Sequence, residues 1–468
     1  MTRRNLFSLL FAILLIATFF LTQFSLRSDS RPIGSPDDIA RLIDREDVNV
    51  VFILIDTLRA DRLGSYGYER QTSPALDELA RTGIRFANHF SQSSWTKTSM
   101  ASLWTASYPN RTGILRFDHA LPDTATLPAE ILLDAGFVTA GIWRNGWVAP
   151  TFGFEQGFEV YHRPEIGAQI DAVRRESDNP YARLAGSDLD LADGTVEFLR
   201  AYRDKRFFLY LHMMDVHQYL SDEESAIFGT SYSDIYDNSV LWTDKQIATI
   251  LAALERYGLR DDTVVVIASD HGEAFQEHGN EGHAKDLHQE VISTPWIVSL
   301  PFALEEGIVV ESMTENIDVW PTILDLLGQS AMEESDGRSR LPEILTTAGV
   351  ESLEPVSEPR PSYAQIDRTW GKADLAPEPL IAVTIEGWRY MQGLGRRSGA
   401  KLFDVRADPF EKRNLLAPGS APFDLEEFES LTEAYRAMPE PFWLKDVQRI
   451  ELDDLQKGQL RAIGYSID

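Results

Sequence analysis

Residues 50–56 read VVFILID, a continuous apolar and β-branched run that ends at an aspartate. A run without polar alternation is typical of a strand that is buried on both faces, as the strands of parallel sheets are. Two further runs have the same form, residues 263–270 (TVVVIASD) and residues 207–212 (FFLYLH). Each run predicts a central strand that delivers a polar side chain at its carboxyl end.

Helical patterns lie between these strands. Ser73 followed by Pro74 is a typical helix start. Residues 188–202, 234–257 and 319–328 carry apolar residues at helical spacing. This alternation predicts an α/β fold with a doubly wound sheet. Because ligands bind beside the carboxyl ends of strands in such sheets, the polar residues after the strands are candidates for a site.

The chain divides into five predicted regions, from its composition and its patterns. They are a signal anchor or signal peptide (1–27), a polar linker (28–47), the main α/β domain (48–330), a linker or insertion rich in Glu, Ser and Pro (331–361), and a C-terminal subdomain with a helical tail (362–468). Short strands are predicted in the last region at 380–384, 388–393 and 401–405.

The N-terminus has the pattern of a membrane-targeting segment. Arg3 and Arg4 precede an apolar run over residues 6–21. A basic flank before such a run is typical of a signal anchor or a signal peptide. No small-x-small cleavage site follows, which favours an uncleaved anchor. With the arginines on the inner side, we expect an extracytoplasmic protein, periplasmic or at the cell surface, anchored by one membrane helix.

Charge and cysteine content exclude several classes of function. The chain has 73 acidic and 44 basic residues, for a net charge of −29. This charge argues against nucleic acid as a partner, since phosphate backbones are bound by Lys and Arg. Cysteine is absent, which excludes disulfides, thiolate metal sites and a cysteine nucleophile. Because the chain as a whole is acidic, a site for an anionic ester must concentrate positive charge locally, most simply with a metal ion.

Histidines are concentrated after two of the predicted strands. Six of the nine histidines of the chain lie there: His212, His217, His271, His278, His283 and His288. Asp215 and Asp270 stand among them, and Asp56 follows the first strand. Imidazoles and carboxylates grouped at strand ends fit divalent-metal and anion binding.

Several segments resemble the sulfatase family of the alkaline phosphatase-like superfamily, in the family's order over residues 48–418. The matching motifs are 56–67 (DTLRADRLGSYG), 101–109 (ASLWTASYP), 212–219 (HMMDVHQY) and 269–279 (SDHGEAFQEHG). The resemblance implies an alkaline phosphatase-like mixed sheet flanked by helices, a smaller C-terminal α+β subdomain, and a catalytic domain over residues 48–330 that hydrolyses sulfuric or phosphoric esters with a metal.

The resemblance also implies roles for individual residues. The metal ligands would be Asp56, Thr96, Asp270 and His271. The catalytic residues would be Thr96, His212, His217 and Lys97. The residues around the substrate would be Asp215, His278 and His283.

The nucleophile motif departs from the family. Sulfatases convert a Cys or Ser within Cys/Ser-x-Pro-x-Arg to formylglycine, but these positions hold Thr96, Thr98 and Met100 here. Threonine cannot yield the same aldehyde, so no formylglycine is expected. A threonine hydroxyl becomes a nucleophile when a divalent metal lowers its pKa. Two aspartates, one histidine and a threonine oxygen suit Zn²⁺ best, with Mn²⁺ or Ca²⁺ as alternatives.

The sequence therefore predicts a metal-dependent hydrolase that cleaves phosphate or sulfate esters of a small molecule, lipid or glycan through Thr96. Two other functions stay open. One is a phosphoethanolamine-type or other phosphoryl-group transferase acting on envelope lipid or glycan. The other is a non-catalytic binding protein on the same fold, although the presence of Asp56, Thr96, Asp270 and His271 together argues against it.

Overall fold

A computed structural model describes residues 29–467, except for 165–185, 352–354, 357, 396–398, 417–424, 442, 446 and 463–466. No helix within the described ranges is long and apolar enough to cross a membrane. The predicted N-terminal membrane anchor, and the extracytoplasmic location that was inferred from it, are therefore not supported by the structure. The apolar run at 6–21 itself lies outside the described residues.

An eight-stranded mixed β-sheet forms the centre of the main domain. Its strands are β1 (Asn49–Ile55), β2 (Ile84–Phe90), β3 (Val138–Trp143), β4 (Val160–His162), β5 (Phe207–Met213), β6 (Thr263–Ala268), β7 (Trp296–Ser299) and β8 (Ile308–Glu315). Their order across the sheet is β8-β2-β7-β6-β1-β5-β3-β4. Strand β7 is antiparallel to both of its neighbours, and the other pairs are parallel. The sheet confirms the predicted fold class.

Strand β1 is a central strand and is buried along its whole length. Its side chains alternate between two apolar clusters, with Val50, Phe52 and Leu54 in one and Val51, Ile53 and Ile55 in the other. Because successive side chains point to opposite faces of a sheet, this packing requires apolar residues at every position. It explains why the run at 50–55 shows no polar alternation.

Helices cover both faces of the sheet. The helices in the described part of the chain are α1 (Pro74–Thr82), α2 (Thr96–Thr105), α3 (Pro128–Asp134), α4 (Asp188–Tyr202), α5 (Tyr232–Arg256), α6 (Asn316–Leu326), α7 (Leu341–Thr347), α8 (Glu426–Arg436), which packs on the C-terminal sheet, α9 (Asp454–Ala462) and the shorter Pro36–Ala40, Pro109–Thr112, Asp215–Gln218 and Gln289–Ile292. Helices α1, α4 and α5 pack on one face. On the other face Trp104 of α2 stacks on Trp320 of α6, with ring centroids 5.2 Å apart.

A four-stranded antiparallel sheet forms the C-terminal subdomain. Its strands are β9 (Ser362–Asp367), β10 (Pro379–Ile385), β11 (Trp388–Gly393) and β12 (Gly399–Asp404), paired in that order. The last three match the predicted strands. Strand β9 has buried polar residues, and hydrogen bonds satisfy them: Gln365 accepts from Tyr435 at 2.9 Å and Asp367 from Arg116 at 2.9 Å. Because the residues of this strand are of mixed polarity, a search for apolar runs does not detect it.

Both segments assigned to linkers pack against the main domain where the structure describes them. Strand Ile33–Gly34 pairs with Ala303–Leu304, and buried Arg31 donates to Ser299 Oγ at 2.8 Å. In the second segment, α7 buries Leu341 and Ile344 in the core. Hydrogen bonding rather than apolar contact holds Arg31, so the composition of the first segment resembles that of a linker.

Candidate active site

Four parallel strands deliver polar side chains to one edge of the main sheet. Asp56 follows β1, Asp270 lies two residues past β6, His212 lies near the end of β5, and Asn145 lies just beyond β3. The register pairs Leu54 of β1 with His212. All four polar side chains are buried. The fold therefore brings together residues that are up to 214 positions apart in the chain.

Asp56, Asp270 and His271 form a group that could hold a metal ion. Each offers one ligand atom, and these atoms lie within 4.8 Å of one another. In the described part of the chain, Asp56 Oδ1 and Asp270 Oδ2 are buried and have no hydrogen-bond donor. Two buried carboxylates with unsatisfied oxygens are costly unless a cation binds them. The donor set and these oxygens therefore fit a divalent metal.

The remaining atoms of this group have partners that orient them. Asp270 Oδ1 accepts from the backbone N–H groups of His271 (2.9 Å) and Thr57 (3.2 Å). Thr57 can donate there because its backbone is left-handed, with φ of 62°. His271 Nδ1 lies 3.0 Å from the carbonyl oxygen of Gly272, which can only accept. His271 Nε2 therefore carries the lone pair that a metal needs.

Burial and neighbouring charges act differently on the two carboxylates. Burial and the nearby Asp56 raise the pKa of Asp270. Burial also works to raise the pKa of Asp56, but His217, His212 and His271 more than offset it and hold that pKa below its ordinary value. Two carboxylates this close cannot both ionise easily without a counter-charge. A cation bound by these residues would supply that counter-charge.

Thr96, the predicted nucleophile, lies beside this group. It is the first residue of α2 and is buried. Its Oγ1 lies 3.2 Å from His271 Nε2 and 3.4 Å from Asn145 Nδ2. Ser99 Oγ donates to the carbonyl oxygen of Asp270 at 2.6 Å, which fixes the helix against the end of β6. The positive end of the helix dipole is thus near the hydroxyl, where it favours an anion.

His212 lies behind Asp56. Its Nε2 is 3.1 Å from Asp56 Oδ2, and its Nδ1 is 2.6 Å from the hydroxyl of Tyr210. Since the carboxylate accepts, Nε2 donates to it and Nδ1 accepts from the tyrosine. This chain of hydrogen bonds fixes the orientation of a candidate metal ligand. The direct catalytic role of His212 stays a prediction.

Asn145 is a site residue that the motifs did not indicate. Its Nδ2 donates to Asp56 Oδ2 at 2.6 Å, and its Oδ1 accepts from the backbone N–H of Trp147 at 2.8 Å. The amide is therefore held with its donor pointed at the group around Thr96. The residues before it, Val138–Trp143, form a strand. The rule that strand ends carry site residues would have found it.

His217 and His283 form the other side of the site. The His283 ring centroid lies 4.5 Å from that of His271 and 5.0 Å from that of His217. His283 Nδ1 is 3.2 Å from Glu273 Oε1. Burial lowers the pKa of His283, but the Glu273 carboxylate outweighs this and the net pKa is raised. Burial lowers the pKa of His217 to about 4. Glu273 is a second residue that the motif roles did not include.

Lys97 has partners away from the site. Its Nζ donates to the carbonyl oxygen of Phe117 at 2.7 Å. The same atom lies 3.9 Å from the ring centroid of Phe152 and 5.0 Å from that of Trp147. Burial lowers its pKa well below the ordinary value. The Lys97 side chain points into a set of aromatic rings. It therefore does not provide the positive charge that was expected next to Thr96.

Asp215 belongs to a buried ion-pair network. Its Oδ1 accepts from Arg144 at 2.5 Å, and its Oδ2 accepts from Trp242 Nε1 at 2.8 Å. Arg144 also donates to Asp188 at 2.5 Å. Both carboxylate oxygens are thus occupied by protein donors. The structure gives Asp215 a role in holding Arg144, the residue before Asn145, and its contact with substrate stays a prediction.

His278 lies in a different cluster from Thr96. Its ring stacks on that of His288, with centroids 3.6 Å apart. Its Nδ1 is 2.7 Å from Glu290 Oε1, and its Nε2 is 3.0 Å from the carbonyl oxygen of Glu411. Of the residues predicted to surround the substrate, only His283 therefore lies against the candidate metal ligands.

The fold and the site together define a metal-dependent hydrolase of the alkaline phosphatase-like class. A family model described as Sulfatase matches residues 48–329. The chain belongs to the sulfatase family, whose members are metal-dependent ester hydrolases.

Similar proteins agree with this class. An ulvan-active sulfatase of Formosa agariphila is 26% identical over 425 residues, which cover 82% of this chain and 78% of that protein. Among solved structures, a 2-O GAG sulfatase has a TM-score of 0.68 at 18% identity, covering 90% of this chain and 96% of that one. The phosphonate monoester hydrolase of Agrobacterium radiobacter has a TM-score of 0.63 at 18% identity, covering 83% and 94%. The structural likenesses show the fold.

Proposed function

We propose that the protein hydrolyses monoanionic esters of sulfuric, phosphonic or phosphoric acid through a covalent intermediate on Thr96. The observation that carries this proposal is the position of Thr96 Oγ1, 3.2 Å from His271 Nε2 and beside the unsatisfied oxygens of Asp56 and Asp270. A hydroxyl at this place can share a divalent cation with these three side chains. Zn²⁺ suits the donor set best, with Mn²⁺ or Ca²⁺ as alternatives.

The charge of the site supports a monoanionic substrate. In the described part of the chain, no lysine or arginine is hydrogen-bonded or ion-paired to Asp56 or Asp270. A divalent cation held there would therefore balance the two carboxylates, which leaves the imidazoles to meet the ester. Sulfate monoesters, phosphonate monoesters and phosphodiesters carry one negative charge, whereas a phosphate monoester carries up to two. The names of the similar proteins, sulfatase and phosphonate monoester hydrolase, denote esters of the first kind.

The bound metal would supply a Lewis acid that lowers the pKa of a hydroxyl and neutralises charge on the ester oxygens. Thr96 reacts as the alkoxide, after its hydroxyl proton has passed to solvent, and leaves as the same alkoxide in the second step. In the first step, this Oγ1 bonds to sulfur or phosphorus while the bond to the leaving oxygen breaks. His283 gives a proton to that oxygen, and Glu273 orients the imidazole for this transfer. Asn145 Nδ2 holds Asp56 and donates toward the attacking oxygen.

In the second step, water attacks the same sulfur or phosphorus atom. His283, now neutral, takes a proton from the water, and the bond to Thr96 Oγ1 breaks. The products are an alcohol and the free oxyanion, and the enzyme regains its starting protonation. An acceptor alcohol in place of water would give a transferase, so product analysis separates these two reactions.

Turnover of a matched panel of esters by wild type and Thr96 variants tests the proposal. We expect 4-nitrophenyl sulfate, 4-nitrophenyl phenylphosphonate and bis(4-nitrophenyl) phosphate to be better substrates than 4-nitrophenyl phosphate. Thr96→Ala should lower turnover at least about 10³-fold, because the nucleophile is lost. Thr98 lies two residues after Thr96, and its hydroxyl donates to the carbonyl oxygen of Ile114. Thr98→Ser keeps this hydroxyl and should remain active.

Rapid quenching followed by peptide mass spectrometry identifies the nucleophile directly. The proposal requires the transferred group on Thr96 during turnover. Unchanged turnover by Thr96→Ala, or a labelled residue elsewhere, would remove Thr96 from the mechanism.

A further inference from the structure

A cavity lies between the segment around His283 and the C-terminal sheet. Its volume is about 500 Å³. Its lining includes Lys285, Asp286, His288, Arg368, Lys401 and Asn414. Thr96 and the candidate metal ligands do not line it. The cavity is therefore separate from the site at the carboxyl edge of the main sheet.

The lining of this cavity is cationic in an otherwise acidic protein. Lys285, Arg368 and Lys401 contribute positive charge, and Asp286 is the one acidic residue of the lining. Lys285 Nζ donates to the backbone carbonyl oxygen of Glu281, and Lys401 Nζ donates to His288 Nε2, so these contacts leave both ammonium charges uncancelled. The whole chain carries a net charge of −29. A concave patch of the opposite sign concentrates anions from solution.

A chain of buried groups holds Lys401 at the wall of the cavity. Arg389 donates to Glu411 Oε1 at 2.6 Å, and His288 Nδ1 donates to Glu411 Oε2 at 2.6 Å. His288 Nε2 is then the acceptor, and it takes a hydrogen bond from Lys401 Nζ at 3.1 Å. Arg389, Glu411 and His288 are each no more than 1% exposed. The neutral imidazole positions the ammonium without cancelling its charge.

Other donors complete the lining. Asn414 Oδ1 accepts from the backbone N–H groups of Leu402 (3.1 Å) and Leu416 (3.0 Å), which leaves the amide NH₂ as its remaining donor. Gly393 and Gly399 pair across β11 and β12. A Cβ added at Gly399 would meet no atom within 4 Å, so there is open space beside this pair.

We infer that this cavity binds an oxyanion, namely a sulfate, phosphate or carboxylate group. A metal ion is the other ligand that the composition suggests, because His278, His288 and Glu411 offer ligand atoms within 4.8 Å of one another. Those atoms are already used: both ring nitrogens of each histidine and both Glu411 oxygens have protein partners. Arg389 and Lys401 also adjoin the cluster, and their positive charges repel a cation and attract an anion.

The oxyanion has two possible sources. It could be a free inorganic ion, or a second anionic group on the ester itself. The segment that carries His283 into the active site continues into Lys285 and His288 of the cavity wall. The inference that the substrate supplies the group rests on the proposed function, whereas binding of an oxyanion does not.

Calorimetric titration of full-length, chelator-treated protein with inorganic sulfate and with phosphate tests the inference without catalysis. We expect one saturable site that persists without metal. Lys401→Ala should weaken it about tenfold, since a charged donor is lost, and Lys401→Arg should restore it. Lys412→Ala is the control, because Lys412 lies over the ring of Phe410 and outside the lining. No saturable binding, or equal affinity in wild type and Lys401→Ala, would overturn the inference.

Steady-state kinetics then identify the source. Two aryl esters are compared that differ only in a second carboxylate on the leaving group. If the substrate supplies the oxyanion, Lys401→Ala raises KM for the ester with the carboxylate and leaves kcat and the other ester unchanged. If a free ion is the ligand, both esters respond alike while the calorimetric difference remains. Absence of turnover of both esters by the wild type would count against the proposed function and leave the calorimetric result standing.

Discussion

Asp56, Asp270 and His271 form one cluster of candidate metal ligands, and His278, His288 and Glu411 form another. Their compositions are similar and both are largely buried. The first has two carboxylate oxygens without a donor in the described part of the chain. In the second, every ligand atom has a protein partner, and Arg389 and Lys401 supply positive charge. Unsatisfied ligand atoms, rather than residue types, therefore distinguish the candidate metal site.

Removal of one ligand from each cluster tests this difference, and the largest effect is expected at the first. Asp270→Asn should lose the metal and lower kcat/KM by about 10³-fold or more, because several kcal/mol of charge stabilisation disappear. Glu411→Gln should leave the metal content unchanged. Elemental analysis of both purified variants provides the measurement. Loss of a metal equivalent from Glu411→Gln would reverse the assignment of the two clusters.

A histidine beside the first cluster, His283, and a histidine of the second cluster, His288, should also differ in their effect on esters with different leaving groups. His283→Gln should slow esters of poor leaving groups about 10²-fold, with a much smaller effect on 4-nitrophenyl esters, since a good leaving group needs no proton. His288→Gln should show no such dependence. Plots of log kcat against leaving-group pKa for the two variants give the comparison. Parallel plots for wild type and His283→Gln would exclude His283 as the acid.

Asn145 tests whether a neutral donor matters beside the unsatisfied carboxylates. Asn145→Ala removes the 2.6 Å hydrogen bond to Asp56. A hydrogen bond to a charged group is worth about 2 kcal/mol, so we expect kcat to fall about 30-fold while metal content stays at the wild-type value. Retained kcat, measured on fully metal-loaded protein, would show that the amide contributes only to folding.

The smallest effect is expected for Tyr210, which contacts His212 rather than a candidate metal ligand. Tyr210→Phe removes the hydroxyl that lies 2.6 Å from His212 Nδ1. Loss of this contact should cost about 1 kcal/mol, or about fivefold in kcat/KM. Metal affinity measured by competition with a chelator should weaken by a similar factor. A drop as large as that of Asp270→Asn would mean that His212 acts directly on the substrate.

The fold was largely predictable from apolar runs and from the family motifs. The runs at 50–55, 207–211 and 263–269 correspond to β1, β5 and β6, and parallel pairing places their ends together. Strand β9 was missed because hydrogen bonds, rather than apolar contacts, bury its polar residues. The segment around Arg31 was predicted to be a linker because it is polar, but hydrogen bonds hold Arg31 in the protein.

The candidate site was predictable in part. Asp56, Thr96, Asp270 and His271 lie together in the structure, as the motifs indicate. Chain position cannot show where a long side chain points, and Lys97 next to Thr96 turns toward Phe117. Chain position also cannot show that Arg144 donates a hydrogen bond to Asp215. Such partners come from distant parts of the chain, so only tertiary structure reveals them.

His283 and His288 lie on one short stretch of chain, the first against a candidate metal ligand and the second at the wall of the cationic cavity. A ligand that binds at one end of such a stretch can change its conformation, and so change the binding free energy of a ligand at the other end. If an oxyanion in the cavity changes the affinity for the ester, the ester must change the affinity for that oxyanion by the same factor. Product released into solution would then act as an effector of the enzyme that made it, in proportion to its concentration.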